Sequence, residues 1–415
     1  MNKPGYKQTP LGWMPEDWEM QELGNITELL TNGFVGKATE HYDNSPSAVT
    51  YIQGYNVTEG GFNFNGIKKV SQAFHERNKK SWLKTGDLLT IQTGDIGVTS
   101  LVPKELEGSN CHALIISRYI DKIAVPAFFV QYFNSPMGRR HLKAIETGST
   151  MKHLNVGDMV HLTVPLPPFS EQSRIAAILY TWDVAIAKEQ QLIEALQTRH
   201  RAITQQLLNG KKRLNGFKGA WKQFSIGDIG NEISLKNKAD KNIIVLSCTK
   251  HGGLVPSIEY FGRKIFSNDL SSYKIVPKYH FAYATNHIEE GSIGYQDKHD
   301  EGLISPMYTV FKTNGALVND FLLFRLLKTH RYIIEYRRRM EGSIDRRGGL
   351  RWDEFSKIAI LIPPLNEQTA IASILSTTEK EIQIHRRRLA ALQKQKKGLM
   401  QVLLTGKIRV KSAEP

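Results

Sequence analysis

Pro167-Pro168-Phe169-Ser170-Glu171-Gln172 and Pro363-Pro364-Leu365-Asn366-Glu367-Gln368 open two segments of the same kind, one in mid-chain and one near the C-terminus. Aligned without a gap at an offset of 196, residues 167–214 and 363–410 carry the same amino acid at 19 of 48 positions. The matches include Ile175/Ile371, Ala176/Ala372, Leu179/Leu375, Leu196/Leu392, Leu207/Leu403, Leu208/Leu404 and the closing Gly210-Lys211/Gly406-Lys407. A unit of about 200 residues is far longer than a solenoid repeat, so the chain is a duplicated module and not an array. Such a duplication lets one chain imitate a two-fold dimer, the symmetry with which many proteins read DNA.

Each repeated segment reads as one long helix. The double proline disfavours helix just before it, Ser170 and Asn366 are N-cap candidates, and Gly210 and Gly406, each followed by lysine, are C-cap candidates. From Glu171 to Asn209 is 39 residues, about 58 Å of helix at 1.5 Å per residue. Ile175, Leu179, Trp182, Ile186, Ile193, Leu196, Ile203 and Leu207 fall on alternating four- and three-residue steps, as do Ile371, Leu375, Ile382, Leu389, Leu392, Leu399 and Leu403. This spacing predicts a coiled-coil seam. Thr378 stands in the second seam where the first has Trp182. Both seams are interrupted by polar residues at the same steps, Glu189/His385 and His200/Lys396. Such breaks either weaken the seam or fix its register or face a partner.

The regions before the helices, residues 1–164 and 213–360, are rich in short β-prone runs broken by Gly, Asn, Asp and Pro. Asp87–Ile91 and Asn242–Leu246 read as strands, Ala127–Phe133 and Phe321–Leu327 as helices. The regions share landmarks: Trp18 with Trp221, Leu23-Gly24 with Ile226-Gly227, Ile96-Gly97 with Ile293-Gly294, and Gly148-Ser149 with Gly342-Ser343. The expectation is an α+β protein with two similar domains at 1–164 and 213–360, and long helices at 165–212 and 361–411. The helices should pair antiparallel, giving pseudo-two-fold symmetry. A retained scaffold with diverged loops points to two different recognition tasks.

The 415 residues suit two domains plus connecting elements, and 40% hydrophobic with 23% charged residues is a soluble, globular composition. Cys111 and Cys248 stand alone in their halves, which fits a reducing cytoplasm without a disulfide framework or cysteine-based zinc site. The N-terminal MNKPGYKQTPLGW lacks the apolar core of a signal peptide, and no run of 18 apolar residues predicts a membrane span. A formal charge of +15 and a pI near 9.5 point to a polyanionic partner, nucleic acid ahead of a membrane surface.

Catalytic motifs are missing from this sequence. There is no GxxxxGK[ST], no HExxH, no adenine-methyltransferase FxGxG or NPP[YF], and no nuclease carboxylate–lysine cluster. Thr93-Gly94-Asp95-Ile96-Gly97 reads as a strand-end turn, and Asp353-Glu354 with Lys357 as part of a short helix or loop. The reading is a non-catalytic binding subunit that holds no metal of its own. Basic residues carry the remaining signal. Arg331, Arg337, Arg338, Arg339, Arg346, Arg347 and Arg351 crowd residues 331–351, and Arg139, Arg140, Lys143, Lys152 and His153 form a diluted counterpart. Arginine suits both phosphate clamping and guanine contacts, with a solvated helix face as the alternative reading of residues 331–339. Charge and loop position select Thr93, Asp95, Arg139, Arg140, Thr150, Lys152, Asn286, His287, Arg338, Arg339, Arg346, Arg347 and Arg351 as candidate DNA-binding residues.

Two variable α+β domains, each followed by a PP-x-x-EQ-led helix ending in Leu-Leu-x-Gly-Lys, resemble the specificity subunit of type I restriction–modification enzymes. Pro167–Arg213 and Pro363–Arg409 carry the resemblance, which spans nearly the whole chain. It implies two target-recognition domains on double-stranded DNA, separated by an antiparallel coiled coil. It also implies two modification subunits that bind S-adenosylmethionine, and restriction subunits that use ATP and magnesium. A stand-alone coiled-coil DNA-binding regulator, or part of a fused restriction/methyltransferase enzyme, are the competing readings.

Overall fold

The computed structural model describes residues 4–238, 243–341 and 349–410. The chain divides into two compact units: residues up to Ile193 together with those from His385 onward, and Glu194–Ile384. Each unit therefore holds one multi-strand domain and one stretch of both long helices.

The two domains have one topology. In the first unit, β1 (Thr27–Asn32), β2 (Leu88–Ile91), β3 (Thr99–Leu101) and β4 (Leu114–Tyr119) form an antiparallel sheet in the order β3-β2-β4-β1. Helices α1 (Pro126–Asn134) and α2 (Pro136–Ala144) follow before the long helix α3 (Phe169–Leu208). In the second unit, β5 (Gly230–Ile233), β6 (Phe281–Ala284), β7 (Ile293–Tyr295) and β8 (Tyr308–Thr313) repeat the arrangement as β7-β6-β8-β5. Helices α4 (Asp320–Leu327) and α5 (His330–Glu341) lead to the long helix α6 (Leu365–Leu403). Of the expected strand at 242–246, Asn242 lies outside the described residues, and the strand runs later, at Leu246–Thr249. Leu303 takes its amide bond to Ile244 there, so this apolar run meets the neighbouring strand across an isolated bridge.

Each domain also closes on itself. Glu19–Glu22 pairs with Thr163–Leu166, and Lys222–Ser225 pairs with Ala359–Ile362, so each domain leaves beside the place where it entered. The core of the first unit runs continuously from Phe128, Phe129 and Tyr132 to Ile175 and Leu179 of α3 and Leu403 and Leu404 at the end of α6. In the second, Leu323, Tyr332 and Phe355 join Leu207 and Leu208 with Ile371 and Leu375. The long helices are thus part of each domain's core.

The helices start earlier than their cap candidates suggest. Ser170 and Asn366 already lie inside α3 and α6, because the Pro168 and Pro364 carbonyls accept the first amides, those of Glu171/Gln172 and Glu367/Gln368. Gly210 and Gly406 adopt φ of +69° and +66°, the left-handed conformation that ends a helix at glycine. A Cβ on Gly210 would touch the Trp221 ring at 3.4 Å, and one on Gly406 would meet Pro15 at 2.4 Å.

Within each unit the helices run antiparallel, and every predicted seam residue is buried or half-buried. In the first unit Lys396 donates to Asp183 at 2.5 Å and His385 pairs with Glu189 at 2.7 Å. In the second, His200 hydrogen-bonds Thr378 at 2.6 Å, and Arg325 reaches Glu379 at 2.6 Å. The polar breaks in the seams therefore meet polar partners. Burial and the neighbouring Arg325 hold the His200 imidazole below its ordinary pKa.

The repeated Glu-Gln dipeptide makes the joint. Gln172 accepts from the Val125 amide at 2.8 Å and donates to the carbonyls of Ile123 and Pro167. Gln368 does the same with Asn319, Leu317 and Pro363. Glu171, 3% exposed, receives both forks of Arg409 at 2.9 and 2.8 Å, the Trp18 indole at 3.0 Å and the Val410 amide at 3.0 Å. Glu367, fully buried, receives Arg213 through two 2.6 Å bonds. Each helix start is thereby clasped by the tail that follows the other helix.

Burial alone would push the Glu171 carboxyl up, but the bonds from Arg409, Trp18 and Val410 outweigh it and hold it below its usual value. A lowered folded pKa gives stability that is present above about pH 4.3, the ordinary glutamate value, and is lost as pH falls toward the folded value. Arg409→Met leaves a buried carboxylate unpaired and should destabilise the first unit by about 3 kcal/mol. Urea unfolding followed by the exchange of first-unit core amides checks the loss, and its acid dependence should flatten in the variant.

Candidate nucleic-acid interface

Past the end of β2 the chain turns through Gln92–Gly97. The Leu154 amide donates to the Gln92 carbonyl at 3.0 Å, and Thr147 and His153 exchange both backbone bonds at 3.0 Å. Thr93 also bridges to His153. Gly148 sits at φ +95°, where a Cβ would lie 2.2 Å from the Met151 carbonyl, so only glycine permits this tight turn. The latch brings Thr93, Asp95, Thr150 and Lys152, all exposed, to one edge of the first unit.

An equivalent latch closes past the end of β6. The Leu350 amide donates to the Thr285 carbonyl at 2.9 Å. Gly349, at φ +63°, passes so close that a Cβ would stand 2.5 Å from Asn286 Oδ1. Asn286 and exposed Arg351 line a cavity of about 420 Å³ with Thr285, Met307, Tyr308 and Asp353. Among the described residues neither Lys152 nor Arg351 has an ion-pair partner, so both charges remain available to an anion. Leu154 and Leu350 are separated by the repeat offset of the helices, whereas Gln92 and Thr285 bear no resemblance to each other.

Other candidates are engaged elsewhere. Arg139 donates to the Ile96 carbonyl at 2.9 Å, to Glu59 at 2.8 Å and to Asn134 at 3.3 Å, which fastens the Gln92–Gly97 turn to α2. Arg140 is exposed on the same helix. Arg338 and Arg339 lie on α5, and both bond Glu335, whose carboxyl is pushed up by burial but held below its usual value by the two arginines. Arg339 also reaches the carbonyls of Glu354 and Lys357 at 3.2 and 3.4 Å, so it fixes the short helix Trp352–Phe355 that follows the latch. Glu354 of that helix pairs with Lys357, just beyond its end, at 2.6 Å. Arg346 and Arg347 lie outside the described residues.

His287 is exposed and pairs with Glu290 at 3.6 Å. With Glu289 these residues place potential metal-ligand atoms within 4.8 Å of one another, the one such grouping among the described residues. Among the described residues no helix is long and apolar enough to cross a membrane. Sequence reasoning missed the latch-forming Gln92, Thr147, Thr285 and Asn155. Asn155 donates to Thr147 Oγ1 at 2.8 Å. Uncharged residues in diverged loops carry no pattern that would single them out.

The type I restriction modification DNA specificity domain matches this chain twice, over residues 15–198 and 218–394. A Methanocaldococcus jannaschii chain provisionally named the MjaX type I restriction enzyme specificity subunit is 26% identical, over 98% of this chain and 97% of its own length. The MjaVIII specificity subunit of the same organism is 23% identical over 96% and 95%. The crystal structure of a type I restriction–modification S subunit from M. genitalium superposes with a TM-score of 0.55 at 15% identity, covering 93% of this chain and 96% of that one.

Gly349→Ala adds a strained φ and a close contact and should destabilise the second latch by about 1–3 kcal/mol. Hydrogen exchange should show the Leu350 amide opening at least tenfold faster, with the β6 and β8 amides unchanged.

Proposed function

We propose a division of labour for this chain, which belongs to the type I restriction–modification DNA specificity family. It is the sequence-specific DNA-recognition subunit of a type I complex and not its catalytic part. In this reading the domains at 1–164 and 213–360 each recognise one half of an asymmetric, interrupted duplex target. The helical regions 165–212 and 361–411 fix the spacing and bind two modification subunits. Those subunits carry S-adenosylmethionine, and restriction subunits supply ATP- and magnesium-dependent cleavage.

The observation that carries this reading is the recurrence of one latch with different side chains on it. Thr93, Thr150 and Lys152 lie about the latch of the first unit, and Asn286 and Arg351 about that of the second. A shared scaffold with unlike edges suits a reader of two unlike half-sites.

The ruler role is tested by lengthening the helices. One heptad inserted after Leu196 and one after Ile382 keeps the seam phase and adds about 10 Å of helix, or roughly three base pairs. Methylome sequencing should show both half-sites retained and the spacer longer. A fixed spacer with altered half-site bases would reverse the assignment of roles.

Replacing Arg346 and Arg347 together by Ala should weaken DNA binding by the assembled methyltransferase. If both contact phosphate, affinity should fall for every sequence, and the slope against log salt should shrink by about one unit per lost contact. If one reads guanine, discrimination should relax at a single position by about 1–3 kcal/mol.

A further inference from the structure

Eight of the nine methionines lie among the described residues, and only Met151 and Met307 are exposed, at 71% and 61%. One falls in each unit, and each sits on the latch. Met151 lies in the turn that Gly148 permits, and its carbonyl is 3.4 Å from Nδ1 of His153, which bridges to Thr93. Met307 lies at the tip of the turn before β8, where Thr285 donates to its carbonyl at 2.9 Å beside Asn286. The two methionines are on different loops and do not correspond in the repeat. Each backbone is held by the latch while its side chain stands open to solvent.

Single exposed apolar side chains are ordinary on protein surfaces. Two exposed methionines, one at each candidate reading edge of a chain that buries or half-buries its other described methionines, are not scattered in that way. Methionine is unbranched and polarisable and fits irregular apolar surface. On the major-groove edge of DNA the one apolar group is the thymine C5-methyl, and an apolar contact to it is a recognised means of reading A·T pairs. Thr93 and Lys152 beside Met151, and Asn286 and Arg351 beside Met307, supply the polar and charged contacts that such a methyl probe needs for orientation.

We propose that Met151 and Met307 are specificity-determining residues, each reading a thymine methyl in the half-site recognised by its own domain. This rests on the DNA-recognition reading above. The test uses the assembled methyltransferase and duplexes in which the thymines of the target are replaced by uracil one at a time, removing only the methyl group. One substitution in each half-site should weaken binding about fourfold, the worth of one buried methyl. Met307→Ala should bind the unmodified target about fourfold more weakly and lose its response to uracil in one half-site only. Met151→Ala should do the same in the other half-site. Both substitutions are at exposed positions, and unchanged thermal unfolding confirms that each variant folds.

Three results would overturn the proposal: no uracil position that weakens binding, an undiminished uracil penalty in the alanine variants, or a half-site without an A·T pair. A fourth is 2-aminopurine fluorescence that rises on binding and falls back in the alanine variants, because it marks a wedge between bases in place of a groove contact. If the wild-type complex shows no sequence preference at all, the DNA-recognition reading itself fails, which is distinct from these outcomes.

Discussion

The two-helix arrangement depends on a buried carboxylate at the start of each long helix and the arginine that comes to it from the tail of the other. Glu171 and Glu367 are almost wholly removed from water, which is costly for a charge unless it is paired and fully hydrogen-bonded. Arg409 and Arg213 meet that requirement with two-pronged bonds. The geometry fixes more than a contact. The arginine arrives only if the Gly406 or Gly210 turn has ended its helix at the right residue, and those glycines pack beneath Trp18 and Trp221. The neighbouring glutamine pins the amide of the N-cap residue, Val125 for α1 and Asn319 for α4. Four stretches of chain thus meet at the dipeptide in the first unit and three in the second, and the domain core and helix seam are built from that point.

The two joints are not identical, and the difference follows from connectivity. In the second unit the tail after α3 runs directly into the strand Lys222–Ser225, so Arg213 and Trp221 are joined through the chain. Arg213 then needs only Glu367 and the Gly219 carbonyl, and the Trp221 indole nitrogen has no partner among the described residues. In the first unit the corresponding tail comes from the far end of the sequence. That junction is noncovalent and carries additional bonds: Arg409 to Asp17 at 2.8 and 2.7 Å, Trp18 to Glu171, and Tyr6 to the Gly406 carbonyl at 3.0 Å. Side chains supply at one junction what the peptide chain supplies at the other.

Much of this architecture was legible in the sequence because duplication writes each structural requirement twice. Pro-Pro, Glu-Gln, the 3–4 seam and the terminal Gly-Lys repeat at one offset, and each proves to have a geometric cause. The N-caps were misread because Pro168 and Pro364 already present carbonyls to the first helical amides, which places Ser170 and Asn366 inside the helices, although the Asn366 side chain still accepts from the Glu367 amide at 2.9 Å. Ile243–Val245 was misread because apolar β-branched residues suit an isolated bridge as well as a strand. The candidate interface was legible only in part. Charge marked Lys152 and Arg351, but it also marked Arg139, which fastens a turn, and Arg339, which holds a short helix. The latch itself is made by backbone groups of Gln92, Thr285, Leu154 and Leu350. Backbone hydrogen bonds leave no residue-type signature, and the left-handed φ of Gly148 and Gly349 shows only in the structure.

The polar residues in the seam decide a question that the apolar ones leave open. A 3–4 pattern repeats every seven residues, so apolar packing alone would tolerate one helix slipping past the other by a heptad. Such a slip would part Asp183 from Lys396 and Glu189 from His385 in the first unit, and His200 from Thr378 in the second. Glu189 is 6% exposed, and Glu379 is sufficiently buried that its carboxyl is pushed up despite Arg325. A shifted register would leave these groups desolvated without partners, at several kcal/mol for each broken buried pair. The same shift would carry Arg409 and Arg213 away from Glu171 and Glu367. Apolar burial therefore holds the helices together, while the choice among registers falls to the charges. If the helices set a spacing, as proposed, that second property matters more than the first.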